Sequence, residues 1–109
     1  MALIATQTVA LDGTAPTFAA AAAGDTARVG SGLTLIVKNA SGGSINVTIT
    51  TPGNLATGDA VPDKVYAVAA AGERWIPLLE LYADPTAGTA AIAYSATASV
   101  TRAVVRPYN

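Results

Sequence analysis

The chain has 109 residues, six basic and seven acidic, with a net charge of −1, no histidine and no cysteine. That length leaves room for one domain, and the missing histidine and cysteine exclude Ser-His-Asp and Cys-His catalysis, histidine–metal centres and a disulfide framework. The six basic residues are too few and too scattered to neutralise a run of phosphates, so no nucleic-acid partner is expected.

About half of the residues are hydrophobic, yet aromatics make up only 6% and alanine about a quarter of the chain. Alanine has little apolar area to bury, so the core is expected to be thin and a partner surface to add useful burial. No apolar run approaches the roughly 18 residues of a membrane span. The opening MALIATQTVALDG lacks a basic leader and a long apolar run, so it does not read as a secretory signal, and no membrane partner is expected.

In chain order, residues 1–7 are too apolar for a solvated tail and read as an extended N-terminal arm able to add a strand to a neighbour's sheet edge. Leu3 and Ile4 are its candidate contacts. Strands are predicted near 5–11 and 25–29. Between them FAAAAAGD, residues 18–25, has strong helix propensity but too few alanines to nucleate a stable helix. It reads as a turn or short helical crossover in preference to an extended loop.

Leu33, Leu35 and Val37 then alternate with Thr34, Ile36 and Lys38, and Ile45, Val47 and Ile49 with Asn46, Thr48 and Thr50. Both are period-two strands. Ile36 on the nominally wet face suggests a strand covered on both sides. NASGGS between them supplies glycines for a tight hairpin. Further strands are expected at 65–69, 73–76, 90–95 and 99–106, and one helical turn in LLELYADP before Pro85. Turn signals separate these strands at short intervals. The expected architecture is all-β: a single antiparallel β-sandwich or jelly-roll-like domain over 1–109, with about eight short strands and little helix.

Candidate chemistry is sparse. Asp59 and Asp63 in GDAVPDK lack the alternating oxygen ligands and late glutamate of a calcium loop and read as solvated carboxylates. Glu73 and Glu80 could form a glycosidase pair only if the fold set their separation, and Glu73 beside Arg74 reads better as a surface ion pair. Gly30 to Gly32 is a turn without the rest of a phosphate-binding fingerprint. Asn46-Val47-Thr48 matches a glycosylation sequon but reads as the wet face of a strand. Thr48 and Thr50 have the spacing of an ice-binding threonine ladder, without recurrence on neighbouring strands. No catalytic residue, cofactor or metal site is expected. Trp75 reads as a core or sheet-edge anchor in preference to a sugar-stacking platform or interface hot spot. Tyr94 is expected to point inward with Ile92, whereas Tyr82 and Tyr108 are placed to touch a partner.

The succession GTAPTFAAAAAGDT, LIVKNASGGSINVTITTPG, AGERWIPL, LYADPTAG and IAYSATASVTRAVVR resembles small proteins encoded in the head gene clusters of tailed bacteriophages, several of which are capsid decoration proteins. The resemblance covers most of the chain through strand, turn and loop patterns. It implies a non-enzymatic virion protein, made in the host cytoplasm, that binds the major capsid protein on the outer surface of the assembled shell, often as a trimer. It carries no site residues, so Leu3, Ile4, Trp75, Tyr82 and Tyr108 stand as interface candidates from their positions alone. The nearest alternative is a head–tail connector or tail component. A carbohydrate-binding or adhesin-like sandwich using Trp75 and Tyr82 is the other.

Overall fold

The computed structural model describes residues 2–10, 13, 15–30, 32–52, 56–59, 63–83 and 88–106. They form a slab of 46 × 37 × 21 Å in which two sheets face each other. The strands are β1 (Ala2–Leu3), β2 (Thr6–Thr8), β3 (Ala19–Ala20), β4 (Asp25–Arg28), β5 (Thr34–Asn39), β6 (Ile45–Ile49), β7 (Lys64–Val68), β8 (Glu73–Pro77), β9 (Thr89–Tyr94) and β10 (Val100–Arg106). The only helical element among the described residues is a 3-10 turn at Glu80–Tyr82, where one helical turn was expected. The first sheet has the order β1-β4-β9-β6-β7, and the second β2-β10-β5-β8 with β3 beside β10. The all-β sandwich expected from the period-two patterns is therefore present.

The core follows from those patterns. Ile45, Val47 and Ile49 of β6, with Ala27, Val68, Ala90 and Ile92, face Leu35 and Val37 of β5, Ile76 and Val104 across the interior. Each is nearly or fully buried. Ile36 lies on the other face of β5 and is also only 2% exposed. It shares a groove with Val9, Pro16, Phe18 and Val105, so the segment before β3 covers that outer face. Gln7 pins the segment: its side-chain amide donates to the Thr17 carbonyl at 2.8 Å and accepts from the Thr17 N–H at 2.9 Å.

Three local readings are corrected. β5 and β6 do not form a hairpin: β5 pairs with β10 and β8, whereas β6 pairs with β7 and β9. Both edges of β5 are occupied, and residues 40–44 instead carry the chain from one sheet to the other. Asn39 makes the corner. It is buried, donates to the carbonyls of Gly43, Val68 and Ala69 at 2.8–3.3 Å, and accepts from the Ser41 N–H and hydroxyl. The connections 69–72 and 95–99 also switch sheets at this end. They hold the two non-glycine residues of positive φ among those described, Ala71 at 58° and Ser99 at 60°.

The alanine run is extended, not helical. Ala19–Ala20 pairs with Arg102 and Thr101 of β10, because a packed sheet offers these residues hydrogen-bond partners that a five-alanine helix cannot match. A turn follows, with Gly24 at φ 83°, a conformation glycine adopts without side-chain strain.

The N-terminal arm belongs to its own sandwich. β1 runs parallel to β4, and β2 parallel to β10 with Thr6 opposite Val104 and Thr8 opposite Arg106. Ile4, expected at a partner surface, is 5% exposed and part of the core cluster. The chain's own edge strands offered this apolar segment a place to bury.

Ile4→Ala is therefore expected to cost about 2–5 kcal/mol, as other buried Ile→Ala changes do. A urea midpoint unchanged from wild type would show that the arm is dispensable to the fold. The Thr6 hydroxyl is buried without a hydrogen-bond partner among the described residues. Thr6→Val keeps the shape and removes that group, and should stabilise the protein by about 1 kcal/mol in the same titration.

Candidate interaction surfaces and the buried charge cluster

One charged cluster lies inside the sandwich, at the sheet-switching end. Asp25, the first residue of β4, is 1% exposed. Arg102, on β10 of the opposite sheet, donates from Nε to Asp25 Oδ2 at 2.9 Å and from Nη2 to Oδ1 at 3.2 Å. The Tyr94 hydroxyl donates to Oδ2 at 2.8 Å, and the Ala22 N–H to the same oxygen at 3.1 Å. Burial alone would raise the Asp25 pKa. The hydrogen bonds from Arg102, Ala22 and Tyr94, with the charge of Arg102, outweigh it and hold the carboxyl below its ordinary value. Burial, followed by the bond to Asp25, pushes the Tyr94 hydroxyl up. Arg102 is raised chiefly by its hydrogen bonds to Asp25. All of these groups are spent on one another, so the cluster acts as a tie between sheets.

Tyr94 points inward as expected. Tyr82 does too, against expectation: it is 5% exposed, belongs to the core cluster, and its hydroxyl shares a 3.0 Å hydrogen bond with that of Tyr66. The 3-10 turn that carries it folds back onto the apolar interior instead of presenting the ring. Burial and this bond push Tyr66 up to about 12. Tyr108 and Pro85 lie outside the described residues.

Among the described residues, the large hydrophobic side chains left in water are Leu3 at 49%, Val65 at 50%, Trp75 at 61% and Leu79 at 43%. Val65 is on β7 and Trp75 on β8, the adjoining edge strands of the two sheets, and Leu79 lies just beyond the end of β8, after Leu78. Leu3 is on β1, at the opposite edge of the first sheet. Trp75 is thus on a sheet edge, as one reading had it, but stands outside the core.

The β7–β8 edge is guarded. The Leu78 N–H bonds the Leu33 carbonyl and the Asn39 N–H the Gly72 carbonyl, so the even-numbered residues of β8 serve the ladder with β5. The peptide groups of Glu73 and Trp75 face outward, and Pro77 has no N–H to offer. Arg74 donates from Nη1 to the Ala67 carbonyl of β7 at 2.7 Å. Glu73 accepts from Trp75 Nε1 at 2.7 Å. The expected Glu73–Arg74 ion pair is absent among the described residues, because neighbours on a strand point to opposite faces.

On the outer face of Trp75 lies a groove of about 270 Å³ lined by Val9, Pro16, Phe18, Ile36, Lys38, Glu73, Trp75 and Val105. Lys38 Nζ sits 4.1 Å above the Phe18 ring. The sequence could not reveal this site, since Phe18 and Lys38 meet only because Pro16 and Phe18 come to lie over β5. The two aspartates of GDAVPDK each hold a local hydrogen bond: Asp63 accepts from the Thr51 N–H and Asp59 from the Thr57 hydroxyl. On the outer face of the first sheet Thr26 stands opposite Ala91 and Thr48 opposite Ala93, so alanines interrupt any threonine ladder.

No protein-family model matches the chain, and no curated protein or solved structure matches it either.

The charge cluster makes a signed pH prediction. A carboxyl held below its unfolded pKa contributes stability that is full above the unfolded value, near pH 4, and is lost as pH falls through the folded one. Arg102→Met should cost about 3–5 kcal/mol at neutral pH by stranding a buried carboxylate. It should also flatten the acid limb, because without Arg102 burial opposes the charged form with less to offset it. Urea unfolding of both proteins from pH 3 to 7 checks this, and parallel pH profiles would sink the assignment.

Proposed function

We propose that this protein is a non-enzymatic structural module of a tailed-phage virion that decorates the outer surface of the capsid as a ring-shaped homo-oligomer, most simply a trimer. The observation that carries the reading is the placement of exposed apolar side chains on opposite edges of one rigid sandwich: Leu3 on β1, and Val65 with Leu79 at the β7–β8 edge. Two different patches on one subunit make a head-to-tail contact, and such contacts close into rings when the rotation allows. A three-fold ring suits local three-fold positions on an icosahedral shell. The low net charge leaves little repulsion between subunits, and added interface stabilises a small domain by mass action. The likeness of the strand and turn succession to phage head proteins supplies the context. Because Ile4 and the arm are committed to the core, association here runs through Leu3 and the β7–β8 edge and not through a donated strand.

The test mixes the protein with capsids that lack it and reads sedimentation and cryo-electron microscopy, with analytical ultracentrifugation of the protein alone. Ordered density over the shell and a closed oligomer at micromolar concentration are expected. Val65→Ser and Leu79→Ser, both at exposed positions, should keep the folded circular-dichroism spectrum yet weaken association about tenfold each. Protein that stays monomeric in the supernatant would overturn the reading, and density at a single vertex or along the tail would move it to the connector or tail class.

A further inference from the structure

The groove beside Trp75 has features that subunit association does not use. Its floor is apolar, formed by Ile36 and Val105, and one wall is the 61%-exposed indole of Trp75. That indole is held in place, since Nε1 donates to Glu73 Oε2 at 2.7 Å. A fixed, exposed aromatic face is a stacking surface. The second ring, Phe18, is already covered by the Lys38 ammonium at 4.1 Å. A ligand cation would therefore meet a resident cation, and an aromatic cage for quaternary ammonium is disfavoured.

The rim carries one charge of each sign. Lys38 and Glu73 are cross-strand partners on β5 and β8, and no ion pair joins them among the described residues. Lys38 retains ammonium donors and Glu73 retains its Oε1 as an acceptor. A net-neutral rim with both a strong donor and a strong acceptor complements a neutral ligand rich in hydroxyl groups, whereas a purely apolar ligand would strip water from both charges without replacing it. Beyond the Lys38–Glu73 pair a second hollow, of about 530 Å³, opens against Asn39, Ala40, Ala71 and Gly72 of the sheet-switching connections. The two hollows share Lys38 and Glu73, so a ligand stacked on Trp75 can continue past them.

We infer that this surface binds a neutral oligosaccharide: one sugar ring stacks its C–H face on Trp75 above Ile36 and Val105, Lys38 and Glu73 hydrogen-bond its hydroxyls, and the next ring occupies the hollow beside Gly72. The site differs from the sugar-binding alternative read from the sequence, which paired Trp75 with the now-buried Tyr82. It also stands independently of the decoration role, because it can be measured on the isolated protein.

Trp75 is the only tryptophan in the chain, so its fluorescence reports the site directly. The experiment titrates the protein with methyl glycosides of glucose, galactose, mannose and N-acetylglucosamine, then with maltose, cellobiose, lactose and chitobiose. A saturable shift with millimolar affinity is expected for at least one series, about tenfold tighter for the disaccharide than for its monosaccharide. By calorimetry, Lys38→Met and Glu73→Gln should each weaken binding about fivefold or more, Trp75→Ala should abolish it, and Leu79→Ser, outside the groove, should leave it unchanged. No saturable response at about 50 mM of any sugar would overturn the inference. So would binding that survives Trp75→Ala or ignores both Lys38→Met and Glu73→Gln. An apolar peptide that binds at Trp75 while no sugar does would overturn it and reassign the groove to a protein partner.

Discussion

A single carboxylate holds the two sheets in register. Asp25 begins a strand of one sheet, Arg102 lies within the last strand of the other, and the pair meets in the interior at 2.9 Å with Tyr94 and the Ala22 N–H completing the shell of donors. In a core dominated by isoleucine and valine, apolar contacts tolerate sliding, since one β-branched side chain resembles the next. A bidentate ion pair does not. Buried ion pairs add little net stability against an apolar replacement, and here the geometry suits a registration device: slide either strand by one residue and the charge is stranded in the core. The turn at Ala22–Asp25, the extended alanine pair before it and the start of β10 all converge on that carboxylate, so the sheet-switching end of the molecule is organised around it.

Asn39 supplies the complementary constraint in backbone terms. Its side chain satisfies carbonyls from the corner that follows β5 and from the end of β7, tying two neighbouring sheet-switching connections together. A buried amide with this many partners is costly to disturb, because its removal leaves several polar groups without water or protein to bond. Together, Asp25 and Asn39 fix strand positions that interchangeable aliphatic side chains alone would leave less defined.

The alternation of apolar and polar residues made most of this sandwich legible in the sequence. The strands from Asp25 onward fall within a residue or so of their expected positions, and the double burial of β5 was visible in Ile36. Pairing was not legible. Alternation assigns a face to each residue but not a neighbour to each strand, and a hairpin and a sheet-switching arch present the same pattern across NASGGS. Helix propensity misled at the alanine run because it describes an isolated segment, whereas Ala19 and Ala20 found partners on β10. Position along the chain placed Tyr82 on a surface and Ile4 in a free arm, and the edges of the sandwich drew both inside. Asp25 and Arg102 are 77 residues apart, and nothing local in either marks the other.

The parallel pairing of β2 with β10 joins the beginning of the fold to its end. Tension applied through the two termini would load these strands in opposite directions along their length. Thr6–Thr8 and Val104–Arg106 would then have to slip past one another, breaking their bonds together, instead of peeling apart one bond at a time. The Val9 N–H to Arg106 carbonyl bond extends the same seam. Such a shear clamp resists mechanical load through a slow unfolding rate more than through equilibrium stability. End-to-end load on this sandwich is thus borne first by the seam of Thr6–Thr8 against Val104–Arg106.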